Sequence, residues 1–215
     1  ANIINNGIWK NSYTELNGTT NQTITMAADA IFAKGRLEDT DSTSTVTAGS
    51  NLYFSNGFII DLEDGNNQEG QLIFPVGTGY NLYLDSCEIQ HAWLMGNGNQ
   101  LHMNNWASLS NETHVDDFTL MGNINITGSS NVYFEGDNNV LKDTLQNHTS
   151  YETAIFNGIF TNNGVVRDNP DNWYLTVKAN ANIINNGIWE NSYTELNGTT
   201  NQTITMAADA VFAKG

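Results

Sequence analysis

An all-β chain wound as a right-handed parallel β-helix is what this sequence predicts. Three observations carry the prediction: a near-perfect internal repeat, a surplus of turn-forming asparagine and glycine, and short apolar runs of strand-forming residues with almost no helical periodicity. A repeated antiparallel β-sandwich is the alternative, because Asn-Gly pairs also close hairpins.

The repeat is the strongest of the three. Residues 1–35 recur as residues 181–215, differing only at Lys10 against Glu190 and Ile31 against Val211. Cores accept many apolar sets of equal volume. Near-identity therefore points to duplication within a longer array rather than to a packing requirement. On this reading residues 1–180 are one full, circularly permuted unit and residues 181–215 begin the next.

Composition narrows the class. Of 215 residues, 34 are Asn and 19 are Gly, while only 14% are charged, against the usual quarter or so. Asparagine is poor in helix interiors and suited to turns, where its amide bonds its own backbone. The net charge is −16, and residues 1–180, with 6 Lys+Arg and 20 Asp+Glu, carry −14 of it. A surface of that sign excludes nucleic acid, whose binding needs cationic side chains, and it opposes docking on anionic lipid. The single Cys87 rules out a disulfide framework and a Cys-ligated metal site. No long apolar run is present to insert in a membrane.

Short runs such as Leu52–Phe54, Phe58–Ile60, Leu72–Phe74, Leu82–Leu84, Phe118–Leu120 and Val132–Phe134 are bounded by Asn and Gly, as strands are. Met26 to Lys34 alone tolerates a helix, and its spacing also suits a strand entering a turn. Four segments share a polar–apolar–aromatic opening: NLYFSNGF at 51, NLYLDSCE at 81, QLHMNNWA at 100 and NVYFEGDN at 131. A second set carries Asn-Gly, at Gly7, Gly18, Gly57, Gly158 and Gly164. The Asn-Gly pairs of TAIFNGIFTNNGVV follow one another closely, which fits the short faces and tight corners of a β-helix with asparagines stacked between rungs. Rungs of about 20–25 residues give roughly eight per repeat and an axial length near 40 Å.

Two stretches resemble a known family. TELNGTTNQTITMAADAIFAKGRLEDTD, beginning at Thr14, is similar to a Gly…Asn-Gln-Thr-Ile rung of large repetitive surface proteins of the Bacteroidetes type. GQLIFPVGTGYNLYLDSC, residues 70–87, is similar to their Phe-Pro-Val-Gly-Thr…Tyr segment. The resemblance implies export by the type IX pathway, an extracellular or cell-surface location, and a filament or adhesin role such as that in gliding motility. It identifies no ligand; adjacent repeats are the partner expected from the repetition itself, and surface glycans are the partner if the chain is an adhesin module.

Motifs for chemistry are sparse. His91, His102, His114 and His148 fall in no metal or nucleophile motif. Cys87 and His91 lie four apart, on one face if the strand is continuous, yet a packed thiol beside a surface histidine is the simpler reading. Carboxylates group at Asp61, Glu63 and Asp64, at Asp39 and Asp41, at Asp116 and Asp117, and at Asp168 and Asp171. The first group is the candidate Ca²⁺ site, although none matches an EF-hand; solvated acidic loops are the plainer alternative. Among the tryptophans, Trp93 and Trp106 are the candidates for stacking on a sugar, and the others are expected in the core. Thr-x-Thr pairs around Thr23 and Thr45 raise an ice-binding reading, but two separated fragments make no flat ladder. No resident cofactor or catalysis is expected, because repetition suits length and avidity better than turnover.

Overall fold

In the computed structural model, which describes residues 2–39, 44–63, 68–171 and 173–213, the chain is a parallel β-solenoid of about 9 turns with 55% strand and 0% helix. It is not a sandwich: every pairing between the strands is parallel, and each strand pairs with one that comes a full turn later.

Each turn crosses three faces, called A, B and C here in the order the chain meets them. Face A begins with Ile3–Asn5, Gln22–Met26 and Thr45–Ala48 and ends with Leu175–Ala179 and Tyr193–Leu196, making ten strands. Face B runs from Ile8–Trp9 and Ile31–Ala33 to Ile183–Asn185 and Ile204–Met206. Face C runs from Thr14–Leu16 and Arg36–Asp39 to Ile188–Glu190 and Val211–Phe212. The long strand Thr119–Thr127 crosses the corner and belongs to both B and C, so these two faces join as one 19-stranded sheet.

Alternation of side chains along a strand sets the core. Gln22–Met26, Glu152–Phe156 and Leu175–Ala179 all alternate buried and half-buried positions. Because the rungs are in register, like stacks on like. Leu52, Leu82, Leu101, Leu120 and Leu141 form one buried column on face B. Leu37, Ile60, Ile89, Leu109 and Ile126 form another on face C. Phenylalanines stack as well, Phe32 on Phe54 within face B at 5.0 Å and Phe156 on Phe160 across a corner at 4.0 Å between ring centroids. The turns vary in length, from 17 residues between Ala179 and Leu196 to 30 between Leu52 and Leu82. The excess goes into corners, which leaves the columns intact.

The first three of the four similar segments are successive rungs of face B, with Tyr53, Tyr83 and His102 in register. The fourth, NVYFEGDN, lies on face A instead, because its opening encodes a half-buried strand that suits either face. The stretch Met26–Lys34 is strand, turn and strand.

Asparagine closes the corners from inside. Asn5, Asn162 and Asn185 are buried at strand ends, and each accepts a hydrogen bond from the backbone N–H of the glycine two residues on, Gly7, Gly164 and Gly187, at 3.1, 2.9 and 3.2 Å. Their amides donate to the carbonyls of Ile31, Ile188 and Val211, and Asn162 also donates to Asn185 Oδ1 at 2.9 Å. Glycine is required at the turn because rungs stack there backbone to backbone. A Cβ on Gly187 would lie 2.1 Å from the Gly164 carbonyl oxygen. Replacing Asn162 with Ala strands buried partners and is expected to cost about 1–3 kcal/mol in urea unfolding. The exposed Asn186, which bonds Asn163 on the rung before, is expected to tolerate alanine within about 0.5 kcal/mol.

Candidate functional site

The outside of the solenoid is built by the same register as the core. On face B, Tyr53 stacks on Tyr83 at 4.6 Å and Tyr83 on His102 at 4.5 Å, with the ring planes nearly parallel. On face A, Trp93, His114 and Tyr133 stack at 4.4 and 4.5 Å. Trp93 is therefore a member of a ladder: His114 covers one side of its ring, and Gln71 is its in-register neighbour on the other.

The predicted carboxylate group is partly assembled. Asp61 and Glu63 converge with His91 so that their ligand atoms lie within 4.8 Å of one another, while Asp64 falls outside the described residues. His91 Nδ1 stands 3.2 Å from Asp61 Oδ1 and 3.4 Å from Glu63 Oε2. Asp61 is buried, and its other oxygen already accepts from Arg36 and Gln90. A cation seated here competes with the Arg36 guanidinium. His91 could not be placed here from sequence, since it reaches Asp61 from the next rung through a corner residue at φ 46°. The strand Glu88–Gln90 separates it from Cys87, which packs inward at the corner before. Burial pushes the Cys87 thiol up to about 11, so it is not a nucleophile at neutral pH. The Cys87–His91 pairing suggested by a shared strand face does not form.

Two of the other carboxylates serve the backbone. Asp117 accepts from the Asn138 N–H at 2.9 Å, and Asp168 from the N–H groups of Leu175 and Ser192 at 2.9 and 3.0 Å. Asp39 is wholly buried, and Asp41 lies outside the described residues. A second trio, Glu69, Glu112 and His114, is brought together from two turns, with His114 Nδ1 2.9 Å from Glu135 Oε1. The threonine ladder is short: Thr23 pairs with Thr47, and the next rung in that column carries Ile73.

Trp106 stands apart from all of these. It projects from the corner turn between Gln100–Asn104 and Ser108–Ser110 and is 71% exposed, the most exposed tryptophan among the described residues. It lies 5.1 Å from His148, between ring centroids, and walls an open groove of about 370 Å³ on face C. The floor is a polar ladder: Gln146 donates to Asn125 at 2.9 Å, and Arg167 donates to Gln146 at 3.0 Å. The far wall is the Asn169–Asp171 loop, pinned by Asn169 N–H to Asn147 Oδ1 at 2.8 Å and by Asp171 N–H to Asn169 Oδ1 at 2.9 Å. A flat aromatic face over amide donors and acceptors, with charge nearly balanced, is the chemistry that receives a hydroxylated ring. Sequence pointed to Trp106 by residue type alone; the floor, drawn from rungs some 20 residues apart, left no sequence signal.

These features define a class, a three-faced parallel β-solenoid with side-chain ladders inside and out. No protein-family model matches the chain, and neither a curated protein nor a solved structure matches it.

His102 gives the face B ladder a pH dependence. Burial, the largest influence, lowers its pKa below the ordinary 6.5. The unfolded chain thus takes up this proton first on acidification. His102 is expected to cost stability as pH falls through 6.5 towards its lowered value. In urea unfolding at about pH 7.5 and 5.5, His102→Tyr, which keeps an aromatic ring in the stack, is expected to lose less stability on acidification than the parent chain.

Proposed function

We propose that this chain is a length-giving segment of a bacterial extracellular filament or adhesin stalk, without catalytic activity. The observation that carries the reading is reciprocal burial between the two copies. Leu16 and Phe32 are 2% and 0% exposed, whereas their equivalents Leu196 and Phe212 are 52% and 36% exposed. In the first copy the following rungs cover these residues, Phe54 lying directly on Phe32. At the other end the order reverses. Trp189 is 1% exposed beneath Val166 and the rings of Phe156 and Phe160, whereas Trp9 is only partly covered. Each copy buries what the other leaves open, and so the surfaces match head to tail. Matching of that kind, which does not close on itself, generates rods, and each added copy covers the strand edges of the one before it. The net charge of −16 keeps neighbouring rods apart. The location follows from the likeness to Bacteroidetes surface proteins in residues 14–41 and 70–87, and adjacent repeats are the first partner.

A second reading, a saccharide-binding adhesin module, is favoured by the Trp106 groove in particular. It gives Trp106 the role of a sugar platform and Trp93 a role in the ladder. Ca²⁺ at Asp61 and Glu63 is a lesser part of the same reading.

Lengthening the chain by whole 180-residue copies is expected to extend a single rod by about 40 Å per copy in electron micrographs. Globular beads on a string would overturn the stalk reading. For the second reading, Trp106→Ala is expected to abolish retention on a glycan array with unchanged thermal unfolding. Trp93→Ala is expected to lower stability and leave retention in place.

A further inference from the structure

The two copies of the repeat do not occupy the same faces. In the first copy Ile3–Asn5 lies on face A, Ile8–Trp9 on B, Thr14–Leu16 on C, Gln22–Met26 on A and Ile31–Ala33 on B. In the second copy the equivalent strands Ile183–Asn185, Ile188–Glu190, Tyr193–Leu196, Ile204–Met206 and Val211–Phe212 lie on B, C, A, B and C. Pairing inside the copy is unchanged. Ile3 pairs with Ile24 as Ile183 does with Ile204, and Ile8 pairs with Ile31 as Ile188 does with Val211. The segment is thus the same object moved round by one face.

The cause is the length of the repeat in turns. Leu175–Ala179 is the ninth strand of face A, eight turns after Ile3–Asn5, and the chain then enters face B with Ile183–Asn185. One repeat is eight turns and one face. The corners permit this because they are interchangeable. The Asn-x-Gly device closes the corner from A to B at Asn5 and the corner from B to C at Asn185, with the same two kinds of hydrogen bond.

We infer that successive repeats are related by a screw, each turned by one face of the solenoid relative to the last. The inference rests on the stalk reading, since it concerns copies added end to end. The rotation is about a third of a turn and the rise about 40 Å, so a feature returns to the same side every third copy, after about 120 Å. A repeat of whole turns sets every Trp106 groove in one row, fit for a flat surface. The screw distributes the grooves over all three sides. Under the saccharide reading, the partner that fits is a flexible polysaccharide matrix surrounding the fibre, with several copies engaged by different strands of the matrix.

The test has two parts, both in a Cys87→Ser background. In the chain as it stands, Thr176→Cys with Tyr193→Cys places the thiols on in-register neighbours of face A, within disulfide reach. Oxidation is expected to join them. Arg167→Cys with Tyr193→Cys, which an unrotated second copy would bring together on face C, is expected to stay reduced; the opposite outcome overturns the screw. In a chain lengthened by two further copies, Lys142→Cys in each carries a gold label for cryo-electron tomography. Labels stepping round the rod by about a third of a turn at about 40 Å intervals are expected. Labels in one straight row sink the screw alone, and a chain that forms no continuous rod sinks the stalk reading together with it.

Discussion

In-register stacking of rungs is the constraint on which the molecule depends. Parallel strands about 4.8 Å apart place each side chain on its counterpart one turn away. A leucine column inside and a tyrosine–histidine ladder outside are therefore two results of one geometry. Each buried leucine contributes about 1.5–3 kcal/mol, and the column repeats that gain at every turn. Buried asparagine is tolerated for the same reason. Asn162 has Leu141 in register on one side but meets Asn185 on the other, so its amide is satisfied where a lone polar group would be costly.

The same constraint shapes the surface. Uneven turns put their extra residues into corners, and corners are where Trp106 and His91 stand. Side chains on the flat faces are committed to their ladders, as Trp93 is. A group free to meet a partner has to come from a corner. Functional variety in a solenoid of this kind is then a matter of which corner is lengthened, with the columns left undisturbed. An acidic exterior suits such a body, because open strand edges at its ends invite association and like charge along its sides opposes it.

Much of the fold was legible in the sequence. The recurrence of residues 1–35 at 181–215, the Asn-Gly corners and the strand-length apolar runs led to a solenoid of about the right number of turns. The aromatic openings at 51, 81 and 100 marked three true rungs. The opening at 131 did not reveal its face, because an alternating strand carries no label for one. The site was less legible. Trp106 and the Asp61–Glu63 pair were visible as residue types, but His91, Gln146 and Arg167 join them only through turn lengths of unequal size. The face-by-face shift between copies was hidden for the same reason: it depends on the sum of all the turns.

Continuity of the solenoid through the second copy is the claim that everything else needs, and amide hydrogen exchange tests it most directly. Residues 183–190 sit against Phe160 and Val165 in the ladder, and their amides are expected to exchange as slowly as those of residues 160–167. Exchange at the rate of an unstructured peptide across 183–190, with protection confined to the residues before them, would contradict the account.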